Sequence, residues 1–161
     1  MQVHSLVLDD FYKEEHSLIG IHTALEDYKL AYVLNRQLNI NLKRDSSNLD
    51  FEKGKKNISF SLFKYMSTRY DFDWSLISNS TKKTEKDTEK KPLSDSLLLF
   101  TETKTYLIPE KKNIDFFIKI SGDVPFEFVS ETVQKIKEIN QIITSYQVDT
   151  NTLKSKDFLI F

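Results

Sequence analysis

Apolar and polar residues alternate strictly in several segments of this sequence, and this alternation limits what the chain can fold into. Because successive side chains of a β-strand point to opposite faces of a sheet, a period of two predicts strands with one buried face. The pattern is clearest at residues 58–62, 70–76 and 114–120, and the polar residues 67–69 predict a hairpin turn between the first two. Further strands are expected at residues 17–22, 39–44, 97–101, 104–108 and 142–148.

Two other segments have apolar residues at helical spacing. The first, residues 24–38, begins beside Thr23 and Glu26, whose separation predicts a capping box. The second follows Gly122-Asp123-Val124-Pro125 and has a predicted buried stripe. That stripe consists of Phe126, Val129, Val133, Ile136 and Ile139. Two helices among six to eight strands predict an α+β fold, a mainly antiparallel sheet with two principal helices on one face.

Length and composition favour a single domain over residues 1–161. A chain of 161 residues is close to the roughly 150 residues typical of one domain, and its 39% hydrophobic and 29% charged residues are ordinary for a globular protein. Residues 80–91 contain no apolar side chain, and residues 80–95 are predicted to form a mobile polar loop within the domain. The apolar residues 158–161 are expected to pack on the fold as an edge strand.

Several absences in the sequence indicate a cytoplasmic protein. There is no cysteine, which excludes disulfides and cysteine-ligated metals. The first residues have neither the basic region nor the apolar run of a secretory signal. No apolar stretch approaches the roughly 18 residues that would span a bilayer, so no membrane contact is expected.

A short motif connects the sequence to a known family. Residues 108–116 read IPEKKNIDF, which resembles the signature of the IPExxxVDY family of small Bacteroidota proteins, with Ile114 and Phe116 in place of the family's Val and Tyr. Residues 6–11, 18–34 and 153–161 are also similar to that family. The resemblance implies an intracellular bacterial protein, and it implies no activity, cofactor or substrate because none is established for the family.

Four residues in and beside this motif are candidate binding residues. Pro109 and Glu110 lie between two predicted strands, in a position that favours a structural turn, with a binding site as the alternative. Glu110 and Asp115 either flank a small site or bond backbone amides of the loop. Phe117 is out of phase with Ile118, so a sheet with one wet face would expose its ring as a contact surface. The alternative is that a second layer or the apolar C-terminal segment covers Phe117.

A basic segment, residues 43–69, supports RNA binding as a second hypothesis. Cations neutralise phosphates and exposed rings stack on bases, and here cations alternate with Phe51, Phe63 and Tyr65. The candidate residues are Lys43, Arg44, Lys55, Lys56, Lys64 and Arg69. The overall net charge of -1 argues against a dedicated polyanion binder, so nucleic acid is the less favoured partner.

No catalytic residue, metal site or cofactor is predicted. His4, His16 and His22 lie near carboxylates but lack the usual spacing of metal ligands, and the glycines are too far apart for a phosphate-binding loop. We therefore expect a non-catalytic domain that binds another protein or a second copy of itself. An RNA-binding module is the second hypothesis and a small-molecule enzyme the third.

Overall fold

The computed structural model describes residues 15–53, 56–86 and 100–161, which form ten strands and two helices. The strands are β1 (His16–Thr23), β2 (Lys43–Arg44), β3 (Leu49–Lys53), β4 (Lys56–Phe60), β5 (Leu62–Met66), β6 (Asp73–Ser78), β7 (Ser80–Lys86), β8 (Phe100–Tyr106), β9 (Phe116–Ser121) and β10 (Ile142–Val148). The helices are α1 (Asp27–Leu38) and α2 (Phe126–Lys137). No helix in this described part is long and apolar enough to cross a membrane.

Six of the strands form the main sheet, in the order β10-β1-β9-β6-β5-β2. Two small sheets, β3–β4 and β7–β8, accompany it. Every strand pair within the described ranges is antiparallel. The predicted α+β fold, with a mainly antiparallel sheet, is therefore confirmed.

Both helices cover the same face of the main sheet. Ile19 of β1, Leu76 of β6 and Ile118 of β9 share this face, and all three are fully or almost fully buried. Leu34 of α1 and Ile136 of α2 belong to the same apolar cluster and have no exposed surface. Tyr28 and Tyr32 lie within the segment of helical apolar spacing, but both side chains are exposed on α1 and do not pack against the sheet.

The second face of the main sheet is also covered, and this corrects the prediction for Phe117. Residues 107–115, the β3–β4 hairpin and the C-terminal residues contribute apolar side chains to a cluster on this face. The cluster includes Leu49, Phe60, Leu107, Ile108, Ile114, Leu153 and Leu159. Phe117 lies in it with 0% of its surface exposed, so it is a core residue and not a contact surface. The prediction assumed one wet face, and this sheet has none over β9.

The predicted mobile loop at residues 80–95 is wrong in its first part, because residues 80–86 are strand β7. Each residue of β7 pairs with one of β8, from Ser80 opposite Tyr106 to Lys86 opposite Phe100. The strand forms without apolar residues because β-branched threonines favour extended backbone and because Lys82 lies 3.1 Å from the Glu102 carboxylate. The rest of the predicted loop, residues 87–95, lies outside the described residues.

Three boundaries also differ from the sequence predictions. Helix α1 begins at Asp27 after Glu26, and no side chain caps it, so the predicted capping box does not form. The alternation over residues 58–62 spans two strands, since β4 ends at Phe60 and β5 begins at Leu62 in a different sheet. The C-terminal segment is a short 3-10 helix, Lys156–Leu159, rather than an edge strand.

Replacement of Phe117 by alanine tests the covered second face. Removing a fully buried ring should lower the free energy of unfolding by about 3–5 kcal/mol, through lost burial and the cavity left behind. The measurement is urea denaturation followed by tryptophan fluorescence. Phe126→Ala is the matched control, because 69% of that ring is exposed and its loss should change stability by less than about 0.5 kcal/mol. Similar results for both variants would contradict the assignment of Phe117 to the core.

Candidate functional site

The loop with the IPE motif, residues 107–115, is held by one fully buried asparagine, Asn79. Its side-chain nitrogen donates to the carbonyl oxygens of Lys111 at 2.9 Å and Ile114 at 2.8 Å. Its side-chain oxygen accepts a hydrogen bond from the backbone N–H of Ile108 at 2.9 Å. The amide of Asn79 therefore bonds three backbone groups of the turn and fixes the shape of the loop, although the Lys111 carbonyl also accepts a hydrogen bond from the Ile114 N–H at 3.0 Å.

Glu110 binds the C-terminal part of the same chain. The backbone N–H and the hydroxyl of Ser155 donate to its two carboxylate oxygens, at 2.8 and 2.9 Å. Partial burial raises the pKa of the Glu110 carboxyl, but the hydrogen bonds from Ser155 and neighbouring backbone groups lower it more, and the net pKa lies below its ordinary value. The motif glutamate thus anchors the C-terminal segment over the second face of the sheet.

Asp115 also makes contacts within the chain. Its Oδ2 lies 2.5 Å from Nδ1 of His22 and accepts a 3.0 Å hydrogen bond from the backbone N–H of Thr23. These bonds tie the end of β1 to the residue before β9. No group of three His, Asp or Glu side chains that could hold a metal ion occurs in the described ranges.

Pro109 begins a 3-10 helix, Pro109–Lys111, and its ring borders a small crevice of about 240 Å³. Phe51, Tyr106 and Phe158 also line this crevice, and Phe158 packs edge-on against Phe51 with ring centroids 5.1 Å apart. The C-terminal segment therefore fills part of the space beside Pro109. The motif residues Pro109, Glu110 and Asp115 all support the packing of other parts of the chain.

The basic residues predicted for RNA binding are spread over separate parts of the fold. Lys43 and Lys64 are opposite each other on β2 and β5, and Arg44 is also on β2. Lys56 is on β4 in another sheet, and Arg69 follows β5 in the turn before β6. Lys55 lies outside the described residues. The structure thus places three of the six predicted cations on the β2–β5 pair, with Arg44 on the opposite face of the sheet from Lys43 and Lys64.

Acidic neighbours neutralise two of those three cations. Lys64 lies 2.8 Å from the carboxylate of Asp45, and Arg44 lies 2.9 Å from that of Asp27. The Lys64 contact and hydrogen bonds from Ser47 together hold the pKa of the Asp45 carboxyl below its ordinary value. Phe63, one of the rings expected to stack on bases, is 93% buried, since only 7% of its surface is exposed.

A wide polar groove of about 1010 Å³ runs between the start of α1 and the β7–β8 ribbon. Its charged lining consists of Glu26, Asp27, Asp115, Arg44, Lys82 and Lys104. Three carboxylates therefore balance three cations. A groove with balanced charge gives a polyanion no net attraction, so it adds no support to the RNA hypothesis.

A second concavity, which we call the aromatic cleft, lies where the end of α1, the β5–β6 turn and α2 meet. It encloses about 270 Å³ and is lined by Ile40, Tyr65, Tyr70, Trp74 and Phe128, with Arg69, Glu131 and Lys135 among its polar residues. Trp74 is 4% exposed, so it is a fixed part of the cleft wall. Tyr70 is 46% exposed, so its ring is open to solvent at the same site.

Ring contacts hold the aromatic cleft in shape. Tyr70 stacks on Phe72 with centroids 5.8 Å apart and an angle of 11° between the rings. Phe128 contacts Tyr70, Phe72 and Trp74, with centroid distances of 5.9, 5.5 and 6.1 Å. Such offset and tilted contacts are the favourable geometries for aromatic pairs. The rings are therefore positioned before any partner binds.

Among the described residues, the charged groups of the aromatic cleft make one cation–π contact and no ion pair. Arg69 lies over the ring of Tyr70, 5.4 Å from its centroid. Within the described part of the chain, no ion pair involves Arg69, Glu131 or Lys135. Glu131 and Lys135, one turn apart on α2, therefore do not pair with each other, and all three side chains are exposed.

Sequence reasoning missed the aromatic cleft, although part of its signal was visible. Tyr70, Phe72 and Trp74 alternate with aspartates and were predicted as one strand, but β6 begins only at Asp73. Phe128 is outside the predicted stripe of α2, whereas Phe126, inside that stripe, is 69% exposed. The available signal was the run of three aromatic rings at alternate positions, because three such large side chains are more than one face of a strand needs for packing.

No protein-family model matches the sequence, and no curated protein is similar to it at a significant level. The functional interpretation therefore rests on the geometry of the described residues.

Replacement of Asn79 by alanine tests its role in holding the motif loop. The change removes the side-chain partner of the Ile108 N–H and of the Ile114 carbonyl, at a cost of about 1–3 kcal/mol for each buried group that stays unsatisfied. We expect a loss of about 3–5 kcal/mol, measured by chemical denaturation. Asn113→Ala, at an exposed position of the same loop, should change stability by less than about 0.5 kcal/mol. A fully stable Asn79→Ala protein would be incompatible with the proposed role.

The pH dependence of stability tests the bond between Glu110 and Ser155. A carboxyl whose pKa is lower in the folded state stabilises the fold above its unfolded pKa, and this contribution is lost as pH falls through the folded pKa. Glu110→Gln should therefore be less stable than wild type at neutral pH, by under about 1 kcal/mol because the side chain is exposed. The difference should shrink toward zero in acid, as measured by denaturation at stepwise pH. A constant difference across the pH range would exclude an ionised Glu110 as its cause.

Proposed function

We propose that this protein is a non-catalytic cytoplasmic domain that binds a protein partner through the aromatic cleft. The observation that carries the proposal is a half-exposed, stacked tyrosine beside three charged side chains that form no ion pair with any other described residue. Tyrosine, tryptophan and arginine are the residues most enriched at the energetic centres of protein interfaces. The cleft exposes Tyr70 and Arg69, and the largely buried Trp74 forms part of its wall.

The size of the cleft favours a protein partner over a small-molecule substrate. Sites for small ligands typically enclose about 300–1,000 Å³ and bury most of the ligand. The aromatic cleft encloses about 270 Å³ and is open to solvent, which suits one anchoring side chain of a larger partner. The rings are also fixed by one another, so little conformational entropy is lost on binding.

Membership of the IPExxxVDY family is part of the same proposal. Its support is the motif at residues 108–116 and the structural role of three residues in it. Ile108 and Ile114 bond the amide that holds the loop, and Glu110 bonds the C-terminal segment. A motif with a structural role is consistent with a binding site elsewhere on the domain. The proposal therefore separates the residues that specify the fold from those that contact the partner.

A peptide selection tests whether the aromatic cleft binds protein. We would select a random twelve-residue peptide library on the full chain and measure the selected peptides by fluorescence anisotropy. Tyr70→Ser should weaken their binding by about 2 kcal/mol, roughly thirtyfold, as expected for a central aromatic residue of an interface.

Tyr32→Ser is the matched control for that variant. Tyr32 is 61% exposed on α1, has Arg36 5.9 Å from its ring centroid and is outside the aromatic cleft. The Tyr32→Ser substitution should leave peptide binding unchanged. If the selected peptides bind the Tyr70→Ser variant and the wild type with equal affinity, the assignment of the binding site to the aromatic cleft is contradicted. Tight, steeply salt-dependent binding of a random-sequence RNA in place of peptides would favour the RNA-binding alternative.

A further inference from the structure

Resting on the proposed function, we propose that the aromatic cleft recognises an acidic segment of its partner protein. One large apolar or aromatic side chain of that segment inserts against Trp74 and Phe128. Carboxylates beside this anchor pair with Arg69 and Lys135. The partner is thus defined by its chemistry, an anchor residue flanked by aspartate or glutamate.

The charge of the cleft selects this class of partner. The cleft is lined by two cations, Arg69 and Lys135, and by one carboxylate, Glu131, and all three side chains are exposed. Elsewhere on the same protein, Arg44 and Lys82 lie within 3.1 Å of the carboxylates of Asp27 and Glu102. Among the described residues, no carboxylate forms an ion pair with Arg69 or Lys135, so an acidic ligand would supply their first such partner. Complementary charge of this kind mainly adds specificity and speeds association.

The position of Arg69 strengthens its part in recognition. Its guanidinium lies over the Tyr70 ring at 5.4 Å from the centroid, which limits the conformations of a side chain that would otherwise be mobile. A guanidinium held in place loses less entropy when it forms a two-point hydrogen bond with a carboxylate. Tyr70 therefore has two functions, one as part of the apolar wall and one as a support for the cation.

Glu131 limits how acidic the partner can be. It precedes Lys135 by one turn of α2, and residues at i and i+4 are neighbours on a helix surface. A carboxylate of the partner beside Glu131 would be repelled, so the segment carries a neutral or basic residue at that point. The cleft thus distinguishes an acidic segment with an anchor from a uniformly acidic one, such as a polyglutamate tail.

Three labelled synthetic peptides test this specificity on the full chain by fluorescence anisotropy. The acidic peptide has a central tryptophan flanked by two aspartates and two glutamates, the neutral peptide has the corresponding asparagines and glutamines, and the third replaces the tryptophan of the acidic peptide by alanine. We expect the acidic peptide to bind about tenfold more tightly than either of the others at low salt. The preference over the neutral peptide should fall as salt is raised.

Charge reversal at the cleft supplies the second arm of the test. Arg69→Glu with Lys135→Glu should abolish the preference for the acidic peptide and leave the neutral peptide bound as before. The matched control, Arg36→Glu with Lys137→Glu, makes the same change in net charge at exposed positions of α1 and α2 outside the cleft. It should retain the preference. A preference lost equally in both double variants would mean that overall charge is responsible, and would overturn the proposal.

The outcomes separate this inference from the proposed function. Equal binding of the acidic and neutral peptides, with both sensitive to Tyr70→Ser, would overturn the acidic specificity and leave partner binding intact. No binding of any peptide, together with an empty library selection, would overturn the proposed function itself. The sequence LDDFY at residues 8–12 has the same chemistry as the acidic peptide. If Phe11→Ala strengthens binding of the acidic peptide severalfold, the chain's own sequence is the occupant, and the assignment to a separate partner protein is overturned.

Discussion

The second layer of this fold depends on the buried amide of Asn79. This residue lies between β6 and β7, and its side chain holds both ends of the motif loop through bonds to Ile108 and Ile114. In that position the loop places Leu107, Ile108 and Ile114 over the sheet. Burial of a polar group is costly unless all its hydrogen bonds are made, and here they are made to backbone groups that need partners themselves. A single polar side chain thus specifies where a large apolar surface lies.

The covered second face also explains a buried cation. Lys119 is 2% exposed and stands on the same side of β9 as Phe117. Its Nζ donates to the carbonyl oxygen of Leu159 at 2.8 Å and lies 4.7 Å from the ring centroid of Phe161. A charged group is tolerated at such a site only when dipoles and rings replace water around it. Together with Glu110, Lys119 therefore attaches the C-terminal segment through polar contacts, although Leu159 is the only one of residues 158–161 that is buried.

Local pattern predicted the parts of the fold whose structure is decided locally. The alternation of residues 142–148 and the helical spacing of residues 126–139 identified β10 and α2, although Phe126 was placed on the wrong face. The side of Phe117 was not predictable, because it depends on whether a distant loop covers the sheet. Strand β7 was missed since its stability comes from pairing with β8 and not from its own apolar residues. The aromatic cleft combines a turn after β5 with a helix much later in the chain, and no local pattern relates the two.

The position of β1 in the main sheet has a consequence for how the chain folds. β1 comes first along the described chain, yet it lies between β9 and β10, and its register joins Leu18 to both Lys119 and Val148. Neither neighbour exists until about a hundred further residues have been synthesised, as the separation of 93 residues between His22 and Asp115 illustrates. β1 therefore cannot pair with β9 and β10 during early synthesis. Because so long a loop must close first, this pairing is a slow, late step in folding. During that interval Ile19 and Ile21 lack their partners, so this strand is where the nascent chain most needs protection from aggregation.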